Sequence, residues 1–261
     1  MIPTILHQTW KTEEIPENWQ AAVKSCKDVN GNFEYMLWTD AKMEEFVKTN
    51  YPEFYPVYQS YAYQIQRCDV FRYLVLYKYG GVYLDMDTVC KQDLNPYLKY
   101  DIVFSTSFNI DSSYTNSFLM VIPEHSFIKF CIDNLPAYVN SYSYFGKHLH
   151  IMNSTGPYFL TKMLEKYNIE KLPNHYVLSK EEFAGDCSIC NNGKCKGGKL
   201  FTHIKGQTWN SYDSLFYNYC FCNYKKIAGG VILFCILVYL FKMNKGKGVN
   251  KIVKRNFRVR K

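Results

Sequence analysis

The feature that most constrains this chain is a helix-length run stopped by two glycines, followed at once by a short apolar strand ending in paired carboxylates. The stretch from about Gln59 to Tyr79 carries helical spacing, with Ile65, Val70, Phe71, Leu74 and Tyr77 as candidate core positions. Gly80-Gly81 stops it, because glycine adopts the backbone that closes a helix C-terminus without strain. Val82-Tyr83-Leu84 then delivers Asp85-Met86-Asp87 to the carboxyl end of a strand, the edge at which open α/β sheets place ligand crevices. In an extended segment residues i and i+2 point the same way, so Asp85 and Asp87 should share one face, about 6 to 7 Å apart at Cα. Carboxylates so placed suit a hard divalent cation, Mn2+ or Mg2+, which would neutralise charge on a departing diphosphate.

The rest of the chain reads as strands alternating with helices. Ile2 to Trp10 is a short apolar segment with no basic leader and no long apolar run, so no signal peptide is expected and the fold should begin at residue 1. Phe33 to Trp38 reads as a second strand, and Thr39-Asp40 as an N-cap for a helix over Ala41 to Lys48. Ile102 to Ser105 and Ser117 to Ile122 continue the strand series around the turn-rich 109–113 segment, and Ser126 to Val139 reads as a helix after Pro123. This alternation predicts an α/β domain with a mostly parallel sheet. The expected division is a catalytic domain over 1–223, an apolar anchor over 224–242 and a basic tail over 243–261.

Charge separates the body from the tail. The net charge is +8, but eleven basic and no acidic residues lie from Lys225 to Lys261, which leaves the body at about −3. A mildly acidic body is a poor nucleic-acid partner, and the same balance disfavours two-metal nuclease chemistry, which needs a basic groove. Ile227 to Phe241 is apolar throughout; as a helix of about 15 residues it would reach only about 22 Å of a roughly 30 Å hydrocarbon core, with Tyr224 and flanking lysines extending it. Membrane association through a single C-terminal pass is expected. The side on which the body lies stays open, because a late-inserted anchor would leave the body in the cytosol, whereas the basic tail itself favours the cytosolic face.

Of the ten cysteines, Cys26, Cys68, Cys90, Cys131 and Cys235 sit among apolar or helical neighbours and read as reduced, buried thiols. Residues 185–199 form a polar, Gly-rich insertion. Cys187-x-x-Cys190 within it has a zinc-ligand spacing that Cys195, Cys220 or Cys222 could complete, but no second close pair accompanies it, so exposed loop thiols are expected.

Asp69 and Arg72 stand one helical turn apart upstream of the carboxylate pair. There a carboxylate can hold sugar hydroxyls and a guanidinium can reach a phosphate, although taken alone the two read as an intrahelical ion pair. The run from Arg67 to Asp87, with Asp69, Arg72, Gly80-Gly81, Tyr83 and Asp85-x-Asp87 in order, resembles the signature of glycosyltransferase family 32. That family includes fungal initiating mannosyltransferases, mannosyl-inositol-phosphoceramide synthases and, more distantly, clostridial glucosylating toxins. Ile2 to Trp10 is similar to its opening strand, whose end contacts the nucleotide base, and Leu37 to Asp40 to its next strand end. Asn116-Ser117-Phe118 and Thr155-Gly156-Pro157 look like acceptor-side and post-sheet segments. His203 to Trp209 is similar to a C-terminal His and Gly-Ser-Trp element, with Thr208 in place of Ser and Gln207 as an extra residue.

The resemblance implies a Rossmann-like fold of GT-A type and retention of anomeric configuration. In that reading Asp85, Asp87 and His203 hold the metal, Asp69 positions the donor sugar, and Arg72 stabilises charge on the diphosphate. Thr9, Trp10, Tyr83 and Trp209 complete the donor site. GDP-mannose is the favoured donor with UDP-hexoses next, and the acceptor is a glycan or glycolipid. The competing reading is a membrane-tethered, non-catalytic sugar-nucleotide-binding or adaptor protein of the same fold, for which Gln207 and Thr208 are the sequence support; as an ordinary protein residue, Trp10 would be core.

Overall fold

The computed structural model describes residues 1–258 apart from 108–112, 184, 186–189, 191–195 and 205–208, and for 239–258 it describes the backbone. The chain divides into two compact units, Met1–Ser214 and Leu215–Lys261.

In chain order the first unit runs β1 (Ile5–Trp10), α1 (Glu17–Val29), β2 (Glu34–Thr39), α2 (Asp40–Asn50), α3 (Tyr55–Ser60), α4 (Gln64–Tyr79) and β3 (Gly81–Leu84). It continues through β4 (Thr88–Cys90), β5 (Ile102–Thr106), β6 (Tyr114–Val121), α5 (Ser126–Tyr138), α6 (Lys147–Ser154) and α7 (Pro157–Tyr167). Last come β7 (His175–Leu178), α8 (Lys180–Phe183), β8 (Phe201–His203) and the start of α9 (Tyr212–Arg258).

Six strands form one sheet in the order β2-β1-β3-β6-β5-β7, and β4 pairs with β8 in a separate two-stranded ribbon. Strands β2, β1 and β3 are mutually parallel, and β5 is parallel to β7. Strand β6 runs antiparallel to both of its neighbours. The expected mostly parallel α/β sheet is therefore present, with one reversed strand that periodicity cannot reveal, since alternation does not encode direction.

Side-chain alternation divides the core between the two sheet faces. Tyr83, Ile102, Phe104, Leu119 and Val121 point into a cluster with Val70, Phe71 and Leu74 of α4 and the helices that follow. Their neighbours Val82, Leu84, Val103, Phe118 and Met120 face a second cluster with Cys26, Phe183 and Phe201. Helix α4 is buried along most of its length, Gln66, Asp69 and Arg72 included.

The α4–β3 junction needs its glycines. Gly80 closes α4 at φ 65°, with its N–H donating to the Leu76 carbonyl. A Cβ at Gly80 would lie 2.7 Å from the Pro123 nitrogen, and one at Gly81 would lie 2.7 Å from the Ile5 oxygen. No L side chain fits either place, so strand β3 can enter the sheet directly beside β1.

Two cysteine expectations are corrected. Cys26 of α1 and Cys90 of β4 form a disulfide across a sequence separation of 64 residues, and are not reduced thiols. Their spacing gave no sign of the pairing, because the fold brings them together. Cys190 and Cys222 are also disulfide-bonded rather than exposed thiols, while Cys187 and Cys195 lie outside the described residues. Cys68 and Cys131 are free thiols in the body, as expected there.

The helix that carries the C-terminal apolar run starts at Tyr212, before the run itself. Among the described residues one helix, Tyr212–Val238, is long and apolar enough by length and composition to cross a membrane, and its most apolar 18 residues have a mean hydropathy of 1.6. Its first fifteen residues include Asp213, Asn218, Asn223, Lys225 and Lys226, so the continuous apolar run still begins at Ile227.

Candidate functional site

The site lies at the carboxyl ends of β1, β2 and β3, where Trp10, Thr39 and Leu84 end three parallel strands. Antiparallel β6 enters the sheet at this same edge, so Asn116 and Ser117 join it, and the Asp85 N–H donates to the Ser117 carbonyl at 2.9 Å.

Arg72 is the hub. It is 3% exposed, with Nη2 2.7 Å from Asp69 Oδ1 and Nη1 3.4 Å from Asp85 Oδ1. Nη1 also donates to the Asn116 carbonyl, and the guanidinium stacks 4.4 Å over the Tyr83 ring. The parity of the strand explains this: Tyr83 faces α4, and Asp85, two residues on, faces the same way. Burial alone would lower the pKa of Arg72, but Tyr83, Asp85 and Asp69 outweigh it and raise it, so the guanidinium stays charged. Its Nε is buried without a hydrogen-bond partner among the described residues. The intrahelical ion pair read from spacing is present, and the same arginine reaches the strand end as well.

Asp69 is held on every side. Asn116 Nδ2 donates to its Oδ1 at 2.9 Å and Thr155 Oγ1 donates to its Oδ2 at 3.0 Å. Burial pushes its carboxyl up, opposed by Arg72, Thr155 and Asn116. In the sequence Asn116 and Thr155 stand only within segments that look like the acceptor-side and post-sheet segments of the family. Their grip on Asp69 spans 47 and 86 residues, and no local spacing announces it.

The two carboxylates of Asp85-Met86-Asp87 do not share one face of an extended strand. Strand β3 ends at Leu84, and Met86-Asp87 form a turn into β4. Met86 is buried against Trp19 and Val23, and its two neighbours take different partners. Asp85 turns to Arg72, while Asp87 Oδ1 lies 3.8 Å from His203 Nδ1. Pairing of β4 with β8 places His203 opposite Thr88, whose hydroxyl is 3.3 Å from the imidazole Nδ1, and the Ile204 N–H donates to the Asp87 carbonyl at 2.9 Å. Burial lifts the Asp85 carboxyl to about 6 against the pull of Arg72, with Asp87 and Asp69 adding to the rise.

Thr9 shares a 3.0 Å hydrogen bond with the Tyr83 hydroxyl, which joins the β1 end to the hub. Trp10 is partly exposed and meets Trp19 edge-on at 4.5 Å. Trp209 stacks on His148 at 5.4 Å, on α6. Gln207 and Thr208 lie outside the described residues. Among the described residues no group of three or more His, Cys, Asp or Glu is gathered as a preformed metal cage.

Comparison with known proteins places this arrangement. The family model described as a glycosyltransferase sugar-binding region containing a DXD motif matches residues 16–104. Inositol phosphoceramide mannosyltransferase 2 of Schizosaccharomyces pombe is 36% identical over 247 residues, covering 92% of this chain and 68% of that protein. Inositol phosphoceramide mannosyltransferase 1 of the same organism is 34% identical over 259 residues, covering 95% and 76%. Among solved structures, the UDP-bound glycosyltransferase domain from the YGT toxin superposes with a TM-score of 0.51 at 8% identity, covering 68% of this chain and 79% of that one. That likeness is one of fold, and the fold is the GT-A type.

Proposed function

The chain belongs to glycosyltransferase family 32, and from that premise we propose that it transfers a hexose, mannose favoured, from a nucleotide-diphosphate sugar to a hydroxyl of a glycan or glycolipid. The observation that carries this reading is Arg72 set between Asp69 and Asp85 at the crevice edge. One end of that arrangement offers a buried, hydrogen-bonded carboxylate for sugar hydroxyls. The other offers carboxylates and a fixed cation for a diphosphate.

The donor set suits a divalent cation. Asp87 Oδ1 and His203 Nδ1, 3.8 Å apart, stand close to the spacing of about 3 to 4 Å between neighbouring donors on one ion, and Asp85 supplies a second carboxylate. When bound, Mn2+ or Mg2+ would neutralise charge on the departing nucleoside diphosphate, with diphosphate oxygens completing its shell. Arg72 orients the diphosphate and stabilises the charge that grows on it, since its guanidinium is already fixed and desolvated. Asp69 positions the sugar, with Asn116 and Thr155 holding its oxygens. Thr9 and Trp10 border the base. Transfer with retention follows the family, and Trp209, stacked on His148 of α6, belongs to the donor site in this reading.

The relatives bearing the name inositol phosphoceramide mannosyltransferase support a sphingolipid-type acceptor and GDP-mannose as donor, with UDP-hexoses second. Membrane attachment is through α9 in a single pass. The Cys26–Cys90 disulfide supports a body on the oxidising side of that membrane, and the basic tail fits the cytosolic side. These two tendencies agree, whereas a cytosolic body would set one against the other. A panel of GDP-mannose, UDP-glucose and UDP-galactose, scored by release of nucleotide diphosphate in the presence of Mn2+, tests the donor. Release confined to UDP-sugars would overturn the mannose reading.

A further inference from the structure

A half-buried carboxylate stands beside the crevice edge, apart from the Arg72 hub. Asp40 opens α2 directly after Thr39, whose register partner is Trp10 at the end of β1, and the Asp40 N–H donates to the Lys11 carbonyl at 3.4 Å. It lines a cavity of about 350 Å3 with Glu44, Tyr58, Gln59, Gln64 and Arg67. Burial raises the Asp40 carboxyl, while Gln64, Lys11 and Arg67 pull it back down.

The polar groups of this cavity are held in place. Arg67 Nη1 donates to Gln64 Oε1 at 3.3 Å, and Nη2 donates to the Gln59 and Tyr61 carbonyls, both at 3.2 Å. The guanidinium is thus engaged by the protein rather than offered to an anion. With its oxygen occupied, the Gln64 amide presents N–H donors, and Asp40 presents acceptors. Glu44 adds a second carboxylate, which accepts from the Tyr55 hydroxyl at 2.6 Å. Two carboxylates repel phosphate, so an occupant brings hydrogen-bond donors here and keeps any phosphate elsewhere.

The hub is the place for that phosphate. Gly80-Gly81 turns α4 back against β3, so the N-terminal half of α4 stands at the edge where β1, β2 and β3 end. Gln64 precedes Arg72 by eight residues, about 12 Å along the helix, a gap for a ribose and its phosphates to bridge. Cys68 lies between: burial raises its thiol, and Asp40, Asp69 and Asp85 add to the rise against Arg72, so one residue feels the carboxylates of both places.

We propose that Asp40, with Gln64, reads the base of the nucleotide donor and selects guanine. Guanine carries adjacent N1–H and N2–H donors that one carboxylate accepts as a pair, beside an O6 acceptor for the Gln64 amide. Uracil sets two carbonyl oxygens around a single N–H, and adenine sets a ring nitrogen beside its amino group. Each of them turns an acceptor towards a carboxylate, which the site rejects. The assignment rests on the nucleotide-sugar reading of the hub and adds the residues that choose the base.

The test titrates the full chain in detergent, with Mn2+, against GDP, inosine diphosphate, UDP and xanthosine diphosphate by calorimetry, in wild type and in Asp40→Asn. The wild type is expected to bind GDP about 100-fold more tightly than UDP, and about tenfold more tightly than inosine diphosphate, which lacks the N2 amino group. Xanthine has a carbonyl in place of that amino group, and an Asn amide can donate to it while accepting from N1–H. Asp40→Asn is therefore expected to lose about 100-fold in affinity for GDP and to gain a similar factor for xanthosine diphosphate, a gain that misfolding cannot produce. Equal binding of GDP, inosine diphosphate and UDP by the wild type, or an unchanged base preference in Asp40→Asn, overturns the assignment and leaves the transfer reading standing. Binding of no nucleoside diphosphate by the wild type sinks the transfer reading and the assignment with it.

Discussion

Arg72 Nη1 lies 3.4 Å from Asp85 Oδ1 while Nη2 of the same side chain lies 2.7 Å from Asp69 Oδ1, so one guanidinium spans the gap between helix α4 and the end of strand β3. Arg72→Lys keeps the charge but has a single ammonium that cannot reach both carboxylates with fixed geometry. Nucleotide release is expected to fall by about 100-fold or more, the scale for losing one preorganised donor. Arg72→Met leaves Asp69 buried beside no cation, and urea unfolding should show a loss of about 3 to 5 kcal/mol. A Lys variant within a few-fold of wild type would mean that the bridging geometry is incidental.

His7 makes a stability switch that is independent of the metal. Its Nε2–H donates to the Gly80 carbonyl at 3.0 Å and its Nδ1 accepts from Trp38 Nε1 at 3.1 Å, which assigns a neutral tautomer and ties β1 to β2 and the α4 cap. Burial lowers its pKa from 6.5 to about 4, against the pull of the Gly80 carbonyl. Between those values the unfolded chain binds the proton and the folded chain does not. The His7 contribution is therefore complete above about pH 6.5 and lost as pH falls towards 4, a change of about 3 kcal/mol. The stability gap between wild type and His7→Gln should narrow from pH 7 to pH 4.5. A gap of constant size in urea titrations at both pH values would contradict this.

The Cys26–Cys90 disulfide closes a loop of 64 residues, and β4, which carries Cys90, directly follows Asp87. In the chain-entropy view a loop of that size contributes about 4 kcal/mol. Cys26→Ser with Cys90→Ser should lower Tm by about 10 °C. It should also weaken activation by Mn2+, since Thr88 and His203 meet through the same strand. A Tm within about 2 °C of wild type would show that the bond forms without restraining the fold.

Local features were the legible ones. Helix α4, its Gly80-Gly81 stop and the strand leading to Asp85 followed from spacing and glycine chemistry, and Thr39 caps α2 through the Lys42 N–H at 3.2 Å as its position suggested. The mostly parallel sheet was legible from alternation. The shared face of Asp85 and Asp87 was not, because the strand stops one residue before Asp85 and a turn takes over. Reversal of β6, the Cys26–Cys90 bond and the hold of Thr155 on Asp69 all depend on residues far apart in sequence. For such pairs a single chain offers no periodic signal. Helix α1 escaped notice because Glu17 to Val29 buries only Trp19, Ala22, Val23 and Cys26, a narrow stripe in a polar segment.

The central claim is that Asp85 and Asp87 hold a cation under a sugar diphosphate. Release of nucleotide diphosphate from GDP-mannose, measured with Mn2+ and after chelation, in wild type and in Asp87→Asn, tests it most directly. The account predicts release by the wild type that chelation abolishes and Mn2+ restores, and a loss of at least 100-fold in Asp87→Asn. Donor binding that is unchanged by chelation, with no release in either protein, would contradict it and leave a sugar-nucleotide-binding protein in its place.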